Sequence, residues 1–239
     1  MFQICFTDPN QGVASADYIA ENKLGTKVGI IYDSSDAYSS GIYEKFKAEA
    51  AAKNLEIVTA EAFTADNKSD LSTQVAKCQQ AGADLVFLPI YYQPASIIFS
   101  QAKAMGYAPT FFGVDGMDGI LTMPGFDASL AEGLMLMTPF SADDEKNADF
   151  VNAYKDKYGD TPDQFAADAY DCVHAIVEAI DKAGIDLTAD GADIAGDLAK
   201  AMRKIKIEGL TGELTWNDKG QVEKPATAYV IQDGKYIAA

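Results

Sequence analysis

Three residues have side chains that could bind a ligand and stand at positions where α/β folds commonly bind one. They are Tyr38, Tyr91 and Asp115. Each of them follows a separate short apolar run of the sequence. If those runs are parallel strands, their carboxyl ends meet at one edge of a sheet, where open α/β sheets bind ligands. A carboxylate pairs with an ammonium, and aromatic rings cover aliphatic groups while their hydroxyls donate hydrogen bonds. The three residues therefore predict a crevice for a small zwitterion.

The same residues also have ordinary structural explanations. A tyrosine at a strand-to-helix turn often only packs against its neighbours, and Asp115 could simply accept hydrogen bonds from turn amides. Tyr92 is expected to point away from Tyr91, which makes it a weaker candidate. Position alone leaves the structural and the ligand-binding explanations open.

The sequence motifs of common enzyme classes are absent. The chain has no GxxxxGK[ST] phosphate loop, no GxGxxG dinucleotide fingerprint and no GxSxG nucleophile elbow. The single histidine, His174, lies in an apolar helical pattern and is expected to be a core or surface residue rather than a general base. The acidic stretch 186–193 lacks the alternation of a calcium loop and predicts a solvated loop. We therefore expect no enzyme, no cofactor and no metal site.

The composition of the chain limits its partners. The 239 residues are 48% apolar, enough to bury a core, and they include 19 basic and 36 acidic residues, a formal charge of −17. Such a surface repels phosphate backbones and anionic lipids, so we expect no nucleic-acid partner. No run approaches the roughly 20 apolar residues of a membrane span, and the first residues lack the pattern of an export signal. Cys5, Cys78 and Cys172 are far apart in apolar stretches, which predicts buried free thiols.

Apolar runs alternate with amphipathic patterns over the first 138 residues. Apolar residues return at three- and four-residue steps in 40–53 and 71–81, which predicts helices there. Apolar strands that alternate with helices indicate β-α-β units and a parallel sheet covered on both faces. We therefore predict a doubly wound α/β lobe over residues 1–138. Its predicted strands are residues 2–6, 28–32, 55–60, 85–89, 110–114 and 133–138.

The pattern changes after residue 138, where helices follow one another without a strand between them. Short strands return only near the end. Three helices with one strand do not easily close a core, so residues 139–222 are expected to be the mostly helical remnant of a second lobe whose other strands lie outside this chain. Residues 223–239 are expected to rejoin the first lobe. The predicted helices are 143–158, 163–183 and 194–202, and the predicted strands are 212–216 and 226–231.

The second of these helices has clear end signals. Thr161 is a predicted N-cap, Pro162 is favoured in a first turn, and Gln164 is the partner expected in a capping box. Gly184 is expected to end the helix.

Several linked motifs carry a family resemblance that covers essentially the whole chain. In order along the sequence, they resemble the type I periplasmic-binding-protein family, and most of all its leucine/isoleucine/valine-binding branch, which serves amino-acid ABC transporters. The motifs are residues 2–12, residues 28–33 with Tyr38 and Gly41, residues 82–84 before Tyr91, residues 112–116, residues 165–171 and the ending 210–232.

The resemblance implies roles for individual residues. Tyr38 and Tyr91 match tyrosines that line the family's cleft. Asp115 matches the acidic residue that takes the ligand's ammonium, which is a glutamate in the best-known members and so is longer by one methylene. Phe165 matches an aromatic residue of the other lobe that closes over the ligand's side chain. The expected ligand is an amino acid, either branched-chain or otherwise aliphatic.

The resemblance also implies a context for the whole protein. Family members bind between two lobes, close by a hinge motion and present the closed form to membrane permease subunits, in the periplasm or at the cell surface. They begin with several β-α units that precede a segment like 2–8, where this chain starts. We therefore expect a fragment that lacks part of its binding site and self-associates through exposed helical faces. The alternatives are a ligand-sensing domain of a receptor or regulator with the same fold, and a flavodoxin-like α/β enzyme in which Asp115 is catalytic.

Overall fold

The computed structural model describes residues 1–224 and 227–239, and these form two compact units. The larger unit comprises Asp8–Thr138 with Ala226–Ala239, and the smaller comprises Met1–Thr7 with Pro139–Pro225. The predicted division differs, because it placed residues 1–7 with the α/β lobe and returned to that lobe at residue 223. The assignment of these parts to two ligand-binding lobes stays a prediction.

The helices and strands are numbered here in chain order. The helices are α1 (Asp8–Asn22), α2 (Ala37–Ala52), α3 (Ser72–Gln80), α4 (Tyr92–Ala104), α5 (Ala148–Tyr158), α6 (Gln164–Ala183) and α7 (Gly191–Met202). The strands are β1 (Lys27–Asp33), β2 (Glu56–Phe63), β3 (Leu85–Leu88), β4 (Thr110–Gly113), β5 (Met135–Thr138), β6 (Ile207–Gly209), β7 (Gly212–Trp216), β8 (Val222–Glu223), β9 (Thr227–Gln232) and β10 (Lys235–Ala238). Short 3-10 turns cover Asp115–Met117, Ile120–Thr122, Ala128–Ala131 and Glu145–Asn147.

The larger unit is built on a seven-stranded sheet in the order β10-β9-β5-β4-β3-β1-β2. Strands β1 to β5 pair in parallel, whereas β9 is antiparallel to β5 and β10 is antiparallel to β9. Because β1 lies between β2 and β3, the strand order reverses between β1 and β3. In open α/β sheets such a reversal marks the crevice in which ligands bind.

Helices cover both faces of this sheet, as the near-continuous apolar strands predict. Ile19 of α1 and Phe46 of α2 pack on one face, and Val75 of α3 and Ile98 of α4 pack on the other. All four residues of β3 are buried. The predicted α/β fold class and the strands β1 to β5 are therefore confirmed, with small shifts at the strand ends.

The N-terminal part of the chain was predicted wrongly. Residues 2–6 do not form a strand, and α1 follows them where no helix was predicted. The amide of Gln3 donates to the carbonyl of Gly220, but among the described residues the segment 2–6 is not a strand of either sheet. Helix α1 has few large apolar residues because it approaches α2 closely at Gly12, where a Cβ atom would lie 2.5 Å from the carbonyl oxygen of Ile42. Because small residues stand at this contact, large apolar residues do not recur at three- and four-residue steps, and the sequence does not indicate a helix.

The smaller unit packs its helices on a small antiparallel sheet in the order β6-β7-β8. Its main core joins Ala175 and Ala179 of α6, Met202, Leu214 and Trp216. The prediction of a single strand between 139 and 222 was wrong, because β6 has three residues and β8 has two, too few to show alternation. The predicted strand 226–231 corresponds to β9, and its first residue lies outside the described residues.

The start of α6 also differs from the prediction. The N-cap is Asp163 rather than Thr161, since the Asp163 carboxylate accepts a hydrogen bond from the amide of Ala166 at 2.9 Å. Gly184 ends the helix in the left-handed conformation, with φ of 60°, as predicted.

Only one of the three cysteines is buried as predicted. Burial raises the pKa of the Cys78 thiol to about 12. Cys5 and Cys172 are exposed, because the segment of Cys5 is not part of a sheet and Cys172 lies on the outer face of α6. Within the described ranges, no helix combines the length and apolar character needed to cross a membrane.

Candidate ligand-binding site

Three of the four predicted site residues lie together in the larger unit, at the carboxyl ends of its strands. Tyr38 follows β1, Tyr91 follows β3 and Asp115 follows β4. The segments after β1 and β3 lead to helices on opposite faces of the sheet. The residues thus meet at the reversal of strand order, as parallel pairing requires.

Tyr38 holds the carboxylate of Asp115. Its hydroxyl donates to Asp115 Oδ1 at 2.5 Å and accepts from the amide of Gly116 at 2.9 Å. Burial, and then the neighbouring carboxylate, raise the pKa of Tyr38 well above its usual value. The phenol is therefore protonated at neutral pH and acts as the donor to the carboxylate.

Local backbone features aim these two side chains at each other. Asp36 caps α2 by accepting from the amide of Tyr38 at 3.2 Å, which fixes the first turn of the helix. Asp115 begins a 3-10 turn and is 5% exposed. A Cβ atom at Gly116 would lie 2.6 Å from the Tyr38 hydroxyl and 3.1 Å from Tyr91 Cδ1. Only glycine leaves room for the two rings at this turn.

Tyr91 supplies an open aromatic surface. Its ring stacks on that of Tyr38 with centroids 4.7 Å apart, and the residue is 40% exposed. Tyr92 packs instead against the apolar core on the α4 side of the sheet, so it points away from Tyr91 as predicted. The stacked pair therefore offers an apolar face beside a buried carboxylate.

Phe165, the fourth predicted residue, belongs to the smaller unit. It lies in the first turn of α6 and is 39% exposed. Its part in the same site stays a prediction.

Two contributors on α1 were not predicted as site residues. Gln11 Oε1 accepts from the amide of Asp115 at 3.2 Å, and Gln11 is fully buried. Asp8, one turn earlier, has a raised pKa because it is partly buried, and the Asp36 carboxylate raises it further. Both residues stand in a motif that carried the family resemblance, yet without a predicted α1 they could not be placed. The carboxyl groups of Asp8 and Asp36 add to the acidic character of this edge of the sheet, which favours a cationic group.

The geometry of this candidate site suits the binding of a small cationic ligand. A carboxylate held by a phenol can pair with an ammonium, and the exposed ring can cover an aliphatic chain. Among residues 1–224 and 227–239, no cluster of three histidine, cysteine or acidic side chains is arranged to hold a metal ion. The fold is that of an open α/β protein, and these residues form its candidate site for a small ligand.

Comparison with known proteins gives the family. The profile of the family described as periplasmic binding protein matches residues 1–235. The Leu/Ile/Val-binding protein of Citrobacter freundii is 27% identical over 217 residues, which cover 90% of this chain and 56% of that protein. The leucine-, isoleucine-, valine-, threonine-, and alanine-binding protein of Pseudomonas aeruginosa is 28% identical over 225 residues, with 93% and 57% covered. The chain thus spans little more than half the length of these relatives.

Solved structures show the same similarity. The branched-chain amino acid transporter substrate binding protein LivJ of Streptococcus pneumoniae, in complex with isoleucine, is 29% identical with a TM-score of 0.83, covering 98% of this chain and 65% of that one. An ABC transporter substrate-binding protein of Desulfitobacterium hafniense, in complex with Leu, is 26% identical with a TM-score of 0.75, covering 100% and 67%.

The chain belongs to the periplasmic binding protein family. This confirms the predicted resemblance and fold class. It also favours a binding protein over the flavodoxin-like enzyme that was kept as an alternative.

Proposed function

We propose that this chain is part of the solute-binding component of an amino-acid ABC transporter and that Asp115 receives the ammonium of the amino acid. The observation that carries the proposal is the hydrogen bond from Tyr38 to the buried Asp115 carboxylate, next to the open ring of Tyr91. A carboxylate that is 5% exposed has lost most of its hydration, so a cation that replaces this hydration is favoured.

The proposed ligand is a branched-chain or other aliphatic amino acid. The Tyr91 ring provides apolar area for its side chain, and Phe165 would cover that side chain from the smaller unit. Support for this class comes from relatives named for leucine, isoleucine and valine and from similar structures that hold isoleucine or leucine. The intact protein would close at the crossings between its two lobes and deliver the amino acid to permease subunits, in the periplasm or at the cell surface.

A titration of the isotope-labelled chain with leucine, followed by amide NMR shifts, tests the proposal. Leucine should shift the amides of residues 115–117 and of the first turn of α2. In the full-length protein, Asp115→Asn should weaken leucine binding by about 2 to 4 kcal/mol, because a desolvated ammonium loses its charged partner. Asp66→Asn is the control, since it makes the same change of charge at an exposed residue. Equal affinities of the two variants would exclude the role of Asp115.

We also propose that this chain self-associates through α6. The buried residues of α6 lie along one face, but the opposite face is also apolar: Val173 is 61% exposed and Val177 is 50% exposed. A helix that is apolar on both sides is normally covered on both sides. The remaining exposed apolar residues of this face are Phe165, Ala169, Tyr170 and Ile176.

Light scattering tests the proposed association. At high salt, which screens the charge of −17, the chain should have a mass above that of one copy, and Val173→Glu with Val177→Glu should restore the single-copy mass. Asp156→Glu, at an exposed residue of α5, is a control that should leave the measured mass unchanged. A single-copy mass for the unaltered chain at all concentrations would contradict the proposal.

A further inference from the structure

The smaller unit contains a buried ionic cluster that the proposed binding site does not use. Lys224 Nζ donates to Asp168 Oδ1 at 2.9 Å and to Thr211 Oγ1 at 2.8 Å. The Thr211 hydroxyl in turn donates to Asp171 Oδ2 at 2.7 Å. The side chain of Lys224 is 0% exposed and that of Asp168 is 7% exposed. We call Asp168, Asp171, Thr211 and Lys224 the α6 cluster.

The α6 cluster joins three parts of the smaller unit. Asp168 and Asp171 project from one face of α6, three residues apart. Asp171 also accepts from the amides of Leu210 and Thr211, each at 2.9 Å, which ties α6 to the turn between β6 and β7. A Cβ atom at Gly209 would lie 2.5 Å from Asp171 Oδ2, so this turn has room for the carboxylate only with glycine there. Lys224 directly follows β8, one residue before the chain leaves the smaller unit.

Stability alone does not account for such a cluster. The Lys224 ammonium contacts the buried carboxylate of Asp168 directly and is linked to that of Asp171 through the Thr211 hydroxyl. Asp168 Oδ2 is buried without a hydrogen-bond partner among the described residues. Burial of incompletely paired charges costs free energy, and apolar replacements of similar volume are often neutral or stabilising. Charged hydrogen bonds are directional, however, so a buried pair holds its two segments in one arrangement.

The position of the cluster indicates what it holds. Phe165 precedes Asp168 by about one turn of α6. The ion pair of Lys224 with Asp168 connects this part of α6 to the segment through which the chain leaves the smaller unit. The segment by which the chain enters the larger unit is attached to β7 and β8 of the smaller unit: Trp216 Nε1 donates to the carbonyl of Gln3 at 2.8 Å, and Trp216 pairs with Val222 across these two strands.

We propose that the α6 cluster sets the position of Phe165 relative to the segment 222–224, which makes Asp168 and Lys224 positioning residues for closure over the ligand. The part of this proposal that concerns closure rests on the proposed function. A rotation of the segment 222–224 would then also move the first turn of α6, because the ion pair between Lys224 and Asp168 connects the two.

The double variant Asp168→Leu with Lys224→Met separates positioning from stability. It replaces the pair by apolar side chains, so the thermal midpoint should change by no more than about 4 °C, the equivalent of roughly 1 kcal/mol. The amides of residues 222–224 and of the first turn of α6 should nevertheless exchange at least about tenfold faster in the ligand-free protein. The affinity for leucine should fall about tenfold, or 1.4 kcal/mol. The control is Lys206→Met with Glu213→Leu, which removes an exposed ion pair of the same unit.

The two measurements distinguish the proposals. Unchanged exchange and unchanged leucine affinity in a folded double variant would overturn the positioning role. If the double variant does not fold, the same measurements are made on Thr211→Val, which removes only the bridging hydroxyl. That variant should show the same changes to a smaller extent, and no change would overturn the role equally. If the unaltered chain shows no amide shifts with leucine, the proposed function is contradicted. The amide exchange rates of residues 222–224 separately decide whether the α6 cluster fixes that segment.

Discussion

The hydroxyl of Tyr38 is the feature of the site whose removal has the most specific consequence. In Tyr38→Phe, the Asp115 carboxylate loses a donor at 2.5 Å, and the Gly116 amide loses its acceptor at 2.9 Å. A hydrogen bond to a charged group contributes about 1.5 to 3 kcal/mol, and an unsatisfied buried amide costs about 1 to 3 kcal/mol. Because the two losses share one atom and are not additive, we expect the larger unit to lose about 2 to 4 kcal/mol of stability.

Native-state hydrogen exchange measures this loss where it occurs. The slowest amides of β1 and β3 report the opening free energy of the larger unit, separately from the smaller one. Tyr32→Phe is a matched control, since Tyr32 stacks on Tyr43 with centroids 4.1 Å apart and its hydroxyl has no hydrogen bond within the described part of the chain. That control should change stability by less than about 0.5 kcal/mol. Equal losses in the two variants would refute the role of the Tyr38 hydroxyl.

Three further outcomes follow from the same structure. Gly116→Ala should displace the Tyr38 ring and abolish leucine shifts in the NMR titration, because its Cβ would overlap the hydroxyl at 2.6 Å; retained shifts would contradict this. The raised pKa of Tyr38 means that the folded state holds its proton more tightly, so stability should fall as pH rises above about 10, less steeply in Tyr38→Phe by urea unfolding. A thiol reagent should modify Cys5 and Cys172 in the folded protein and Cys78 only after unfolding; rapid modification of all three would disprove the assigned burial.

The sheet of the larger unit could be predicted because its strands are buried on both faces and therefore read as continuous apolar runs. Helix α1 could not be predicted, since Gly12 and other small residues lie where large apolar residues would reveal a helical period. Strands β6 and β8 are too short for any pattern and depend on tertiary contacts with β7.

The candidate site was predictable to a similar extent. The rule that ligands bind beyond strand ends located Tyr38, Tyr91 and Asp115, but it could not reveal that the Tyr38 hydroxyl is bonded to Asp115. The role of Gln11 was hidden with α1. Phe165 was named from the family resemblance alone and stays a prediction.

The pairing of β5 with β9 has a consequence for biosynthesis. Met135 lies opposite Val230, so the edge of β5 stays unpaired until the ribosome has made the whole of the smaller unit. Non-local pairs of this kind form late, and an open strand edge attracts other chains. We therefore expect nascent chains halted before residue 227 to aggregate or to bind chaperones at the β5 edge, and the larger unit to be completed only when β9 arrives.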